Sequence, residues 1–137
     1  MELPFAEDIG HYWQTGQSSP DSWMEKTCKL IASLGGTVTA EGFGRTEGRA
    51  AYMLAFEIGG DNFKVVWPVL SSRTGKDQAA RRQAATLLHH DIKAKAMTAS
   101  VLGTKAAFFS YVQLPDGRTA SSVAVPELAH LFPLQLK

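Results

Sequence analysis

The sequence predicts an α+β fold: an antiparallel meander of three or more strands with a long helix packed on one face, in the order α-β-β-β-α-β-β. Three observations predict it. An apolar stripe at helical spacing follows Pro20, two β-rich runs flank the hairpin signal Gly59-Gly60-Asp61-Asn62, and the stretch from Lys76 to Leu102 holds neither Gly nor Pro. At 137 residues and 45% apolar content the chain is sized for one globular domain with a buried core. Met1–Ser19 reads as an N-terminal arm and residues 20–137 as a single α+β domain.

The arm is mixed in composition and ends in Gly16-Gln17-Ser18-Ser19-Pro20, a loop signal. Ser19 can cap the first long helix, with Pro20 at its first position, Asp21 in its first turn and Gly35-Gly36 as the stop. Trp23, Thr27, Leu30, Ile31 and Leu34 recur at three- and four-residue spacing and give that helix one apolar stripe. Thr37–Ala40 predicts a strand, Gly42-Phe43-Gly44 a turn or bulge, Ala51–Ile58 a second strand and Phe63–Trp67 a third, ended by Pro68 or just beyond.

After a turn at Ser71–Gly75, the alanine- and leucine-rich run from Lys76 predicts a helix that stops at Gly103. At about 100° per residue, Ala80, Ala84, Leu87, Leu88, Ile92 and Ala99 share one side of it. Gln78, Arg82, Thr86, His89 and Lys93 share another, which the pattern assigns to solvent. Thr104–Leu114 is expected to be extended, Pro115-Asp116-Gly117-Arg118 to turn, Ala120–Val125 to return as a partner strand, and Pro126–Phe132 to close the chain with a short helix. There are no internal repeats or low-complexity segments. Trp13, Trp23, Trp67, Phe108, Phe109 and Tyr111 fall in predicted elements, where large aromatics fill cores.

Charge is sorted along the chain although the total is only +1. Met1–Asp61 carries four Lys/Arg against nine Asp/Glu, whereas Asn62–Lys105 carries eight against two. A basic block of this kind gives one surface a positive field, the footprint of a protein that meets phosphates. A single cysteine, Cys28, cannot form an intramolecular disulfide, and the N-terminus has no basic segment followed by an apolar one. A cytoplasmic protein is expected. No uncharged apolar run approaches the roughly 18 residues of a membrane span, so no membrane partner is expected.

Candidate contacts with phosphate are Arg82, His89 and Lys93 on the long helix, Arg73 and Lys76 in the turn before it, and Lys64 on the third strand. Gly42-Phe43-Gly44-Arg45-Thr46-Glu47-Gly48-Arg49 adds a glycine-rich hairpin in which Phe43 can stack on a base while Arg45 and Arg49 reach phosphates. The same residues also describe an ordinary hairpin, and a phosphate-cradling glycine loop would open into a helix rather than a strand. His89-His90-Asp91 invites a metal reading, but adjacent helical side chains point about 100° apart. Cys28 lacks triad companions and no paired carboxylates occur, so neither enzyme, cofactor, metal nor small-molecule substrate is expected.

Two families share the order helix, meander, long helix. Ala80, Ala84, Ala85 and Leu88 are similar to the last helix of the double-stranded-RNA-binding domain, with Asp77-Gln78 where that family has lysines. Asp91, Lys93, Ala96, Leu102 and Gly103, followed by Lys105 and Phe108-Phe109, resemble the helix of the single-strand annealing recombinases, over roughly residues 50 to 110. The second resemblance implies a ring or filament that holds single-stranded DNA in a basic groove between hairpin and helix, with Arg73, Lys76, Arg82 and Lys93 on the backbone. The leading expectation is therefore non-enzymatic binding of single-stranded nucleic acid, DNA in a recombination or replication setting, by a homo-oligomer. The alternative is an interaction module that self-assembles, the acidic first part of one subunit docking on the basic block of the next.

Overall fold

The computed structural model describes residues 3–13, 18–46 and 48–120. Its elements are α1 (Ala6–Ile9), α2 (Pro20–Ser33), β1 (Thr37–Thr46), β2 (Arg49–Ile58), β3 (Asp61–Pro68), α3 (Asp77–Leu102) and α4 (Thr104–Ala107), followed by a 3-10 turn at Phe109–Tyr111. The strands form one antiparallel sheet in the order β1-β2-β3, with α3 packed on one face, as the sequence predicts. Among the described residues no helix is long and apolar enough to cross a membrane.

Helix α2 starts where a hydroxyl can satisfy its free amides. Ser19 Oγ accepts from the Ser22 N–H at 3.1 Å, and Pro20 occupies the first helical position. At the other end Gly35 turns at φ 80°, its N–H donating to Ala32 O and the Gly36 N–H to Ile31 O, which closes the last carbonyls in a Schellman arrangement. Gly36 has a second constraint: a Cβ there would lie 2.7 Å from Ile58 Cγ1 and 2.9 Å from Ile31 Cγ2.

In the sheet, Gly59 and Gly60 both take positive φ between paired Ile58 and Asp61, the requirement of a two-residue type I′ turn. The segment Gly42-Phe43-Gly44 is strand rather than turn, pairing with Met53, Tyr52 and Ala51, and the irregularity falls instead between Val38 and Ala40. The physical reason lies in the alternation. Phe43 points to the helix-covered face, and the two glycines share the opposite face, where no layer demands a side chain. The reversal into β2 comes later, with Gly48 at φ 78°.

Helix α3 buries Ala84, Ala85, Leu88 and Ile92 in one core with Tyr52, Leu54, Phe56, Phe63 and Val65 of the sheet. Its alanines let the helix lie close to the strands. Beyond Gly103 the expected strand is absent: Thr104–Ala107 is helical and Phe109–Tyr111 a 3-10 turn. Phe108 and Tyr111 are the buried positions here, a three-residue spacing that a helical turn satisfies and a strand does not. Phe108 closes a three-ring cluster with Phe56 and Phe63, at centroid separations of 5.6 and 5.8 Å. The turn at Pro115–Arg118 does form, with Gly117 at φ 88° and the Leu114 N–H donating to Arg118 O. Among the described residues, the bridge between Phe63 and Val112 and the Gln113 N–H donating to Asn62 O tie the backbone of this part to β3, while Gln113 bridges Thr119 within the segment itself. The return strand Ala120–Val125 lies outside the described residues except for Ala120, which is helical, and the helix Pro126–Phe132 lies wholly outside them.

The described part of the N-terminal arm is docked against the main body. Ala6 is fully buried and donates its N–H to Ser71 O, while the Gln83 amide donates to Ala6 O at 3.0 Å and His11 O at 3.1 Å. Gln83 is itself buried on α3, and these two carbonyls satisfy both of its N–H groups.

Candidate nucleic-acid interface

The turn before α3 is occupied by the chain's own carboxylates. Glu7 accepts hydrogen bonds from the Arg73 N–H at 3.0 Å, the Thr74 N–H at 3.3 Å, Ser72 Oγ at 2.9 Å and Thr74 Oγ1 at 3.0 Å. Burial alone would raise its pKa, but these donors outweigh it and hold the carboxyl at about 2. Arg73 forms a two-pronged pair with Asp8, at 2.6 and 3.0 Å, and its guanidinium lies 4.6 Å from the Phe5 ring centre. A loop that could cradle a phosphate therefore already holds Glu7, and Arg73 is neutralised. Lys76 is exposed and has no ion pair among the described residues.

The helix face assigned to solvent is largely covered by α2. Thr86 is 3% exposed and returns its hydroxyl to Arg82 O at 2.7 Å. Arg82 is half-buried, its Nε sequestered without a hydrogen-bond partner. His89 lies 3.0 Å from Thr27 Oγ1 through Nδ1, and the Thr27 hydroxyl donates to Trp23 O at 2.9 Å, so Nδ1 is the donor to Thr27. Burial first, then His90, Lys93 and Lys26, lower the His89 pKa below 6.5. Only Gln78 and Lys93 of the five residues are exposed, and Lys64 sits half-buried on β3 on the far side of the sheet. The continuous cationic strip expected along α3 does not form, because a threonine on a helix can satisfy itself and so does not mark a wet face.

What the fold does bring together is a cleft of about 510 Å³ at the end of the sheet, between the β1–β2 hairpin, the segment Leu3–Phe5 and the start of α3. Arg45, Arg49 and Arg81 line it with Phe43, and Asp77 is its one carboxylate among the described residues. Register explains part of this: Phe43 pairs with Tyr52 and Arg45 with Ala50, so Phe43 and Arg45 stand on the helix-covered face beyond the reach of the core. Arg81 comes from α3, its Cζ 4.0 Å from the Phe43 ring centre and its Nε donating to Tyr52 Oη at 3.3 Å. Among the described residues no ion pair involves any of the three arginines, whereas Lys29, Arg73, Lys95, Lys105 and Arg118 each have one.

Arg81 escaped notice in the sequence. It lies four residues before Ala85 and seven before Leu88, on the stripe that faces the sheet, and an arginine there must reach past the core to its edge. Phe43, 43% exposed, provides the shelf on which it rests.

Other candidates resolve into structure. Burial, then the Glu41 carboxylate at 3.8 Å, push the Cys28 thiol up to about 11, far from a reactive thiolate. The His89 and His90 rings stand edge to face, and His90 stacks on Tyr12 with a centroid distance of 5.0 Å. Among the described residues no group of three or more His, Cys, Asp or Glu could hold a metal ion. Asp91 accepts from the Tyr111 hydroxyl and pairs with Lys95 at 2.9 Å, and Phe108 is core, so these residues of the recombinase-like pattern support the fold. No family model, no curated protein and no solved structure matches the chain.

Proposed function

We propose that this protein binds single-stranded nucleic acid without chemistry, through the cleft at the hairpin end of the sheet. The observation that carries the reading is that Arg45, Arg49 and Arg81, unpaired among the described residues, line one cleft beside an exposed phenyl ring. Planar guanidinium forks match phosphate oxygens in pairs, and the low hydration of arginine suits a partly enclosed site. A cleft of about 510 Å³ is in the range of single small-ligand sites, so a strand would enter it as one unpaired nucleotide rather than as a duplex. Phe43 and the Arg81 plane above it offer a surface for stacking that is indifferent to base identity.

The self-assembly alternative loses ground because the sorted charges meet within one chain. Asp8 of the acidic part pairs with Arg73 of the basic part, and Asp61 with Lys105 at 3.8 Å. Titration of labelled single-stranded and duplex oligonucleotides at two salt concentrations tests the proposal. Single strands are expected to bind more tightly, and affinity to fall with salt; absence of binding to both forms at low salt would end the reading.

A further inference from the structure

The open face of the sheet departs from what an exposed face normally carries. When an antiparallel sheet covers a core on one side, its other side alternates to polar residues. Here the register places Gly44, Ala51 and Pro68 in one row across that face, Gly42, Met53 and Val66 in the next, and Ala40, Ala55 and Lys64 in the third. Lysine is the only polar side chain among these positions, and only Ala51 is buried. Met53 and Val66 are 39% and 45% exposed, and a Cβ on Gly42 or Gly44 would meet nothing within 4 Å. Contiguous exposed apolar surface of this kind marks an interaction site.

We infer that this face is the contact between two copies of the chain related by a two-fold axis. Its centre is flat, since glycine and alanine supply five of the nine positions, and flat apolar sheet faces stack about 10 Å apart. Its charges are self-complementary. Glu57 and Lys64 lie diagonally across β2 and β3 at one end of the apolar rows, neither in an ion pair among the described residues, and a two-fold axis running between those two strands carries each toward its opposite on the other copy. Area sets the strength. Three strands about 4.8 Å apart and about 30 Å long present roughly 400 Å² per copy, about half of the ~800 Å² per partner of a standard stable interface. The dimer is therefore reversible and concentration-dependent.

Sedimentation of the whole chain between about 10 μM and about 1 mM reads the association directly. The weight-average mass is expected to rise toward twice that of the chain. Met53→Glu is expected to hold it at the monomer value throughout, and Val66→Glu repeats the test from the neighbouring strand, both positions being open enough to accept a carboxylate in the folded monomer. Glu57→Lys or Lys64→Glu alone should weaken the dimer by about 3- to 30-fold, because two symmetry-related attractions become repulsions, and the two together should restore it. A monomer at every concentration, a dimer indifferent to Met53→Glu and Val66→Glu, or a double reversal no better than the single ones would each overturn the inference. A monomer whose Met53 also resists peroxide would do so in favour of residues 121–137 as the cover.

Discussion

Removing two of the three cleft arginines tests the proposed interface most directly, because salt dependence counts the phosphates a protein neutralises. Each contact with a single strand contributes about −0.7 to the slope of log affinity against log salt, so Arg45, Arg49 and Arg81 together give about −2. Between about 50 and 200 mM salt, affinity should then fall about 20-fold. Arg45→Ala with Arg49→Ala leaves Arg81 alone, the slope drops to about −0.7, and the same salt step costs only about 3-fold. Both residues are exposed and unpaired among the described residues, so the double substitution should leave the unfolding temperature nearly unchanged. Fluorescence anisotropy of a labelled homopolymer strand, read at four salt concentrations, measures both slopes. Arg82→Ala with Lys93→Ala is the matched control, since one side chain is half-buried and the other lies further along α3. A slope that survives in the Arg45/Arg49 variant and collapses in the control would place the phosphates on the helix and refute the cleft.

Acid should loosen the N-terminal segment through Glu7, whose folded pKa of about 2 lies below its ordinary 4.5. The stability this carboxylate contributes is complete above pH 4.5 and is lost as pH falls toward 2; thermal unfolding across that range should show a steeper decline in the wild type than in Glu7→Gln. His89 has the same sense at higher pH: with a lowered folded pKa, stability is full above 6.5 and falls below it as the unfolded imidazole takes up a proton that the folded one refuses, a slope that His89→Asn should flatten. Phe108→Ala empties the centre of the three-ring cluster and should cost about 3–5 kcal/mol in chemical denaturation. Gly36→Ala forces a methyl to within 2.7 Å of Ile58 and should cost about 1–3 kcal/mol by the same measurement.

The parts of the fold legible in the sequence are those set by neighbours along the chain. Ser19-Pro20, Gly35-Gly36 and Gly59-Gly60 each require a backbone geometry that few residues supply, and each sits where that geometry occurs. The long helix was legible for the same reason, from its unbroken run of helix formers to Gly103. Gly42-Phe43-Gly44 misleads because glycine also serves where a strand face carries no layer, and nothing local separates that use from a turn. Thr104–Leu114 misleads because its apolar density suits either element, and the decision is made at a distance by Phe56 and Phe63, which leave room for Phe108. Arg45 and Arg49 were legible as hairpin cations, whereas their convergence with Arg81 depends on how α3 crosses the end of the sheet.

Charge order along a sequence is a poor guide to charge in space for a related reason. The acidic first part and the basic middle are far apart in sequence, 65 residues between Asp8 and Arg73, yet the topology lays α1 against the loop that precedes α3. Cations whose neighbours in the fold are carboxylates are absorbed, as Arg73, Lys95 and Lys105 are. At the far end of the sheet no ion pair among the described residues involves Arg45, Arg49 or Arg81. The basic block predicts a positive surface, and folding then decides which of its members remain to form it. Arg81 belongs to the block, but Arg45 and Arg49 come from the acidic part, so the cleft draws its field from both. For a polyanion to bind here, what counts is the local excess, among the described residues, of three arginines over the carboxylate of Asp77, not the net charge of any stretch of sequence.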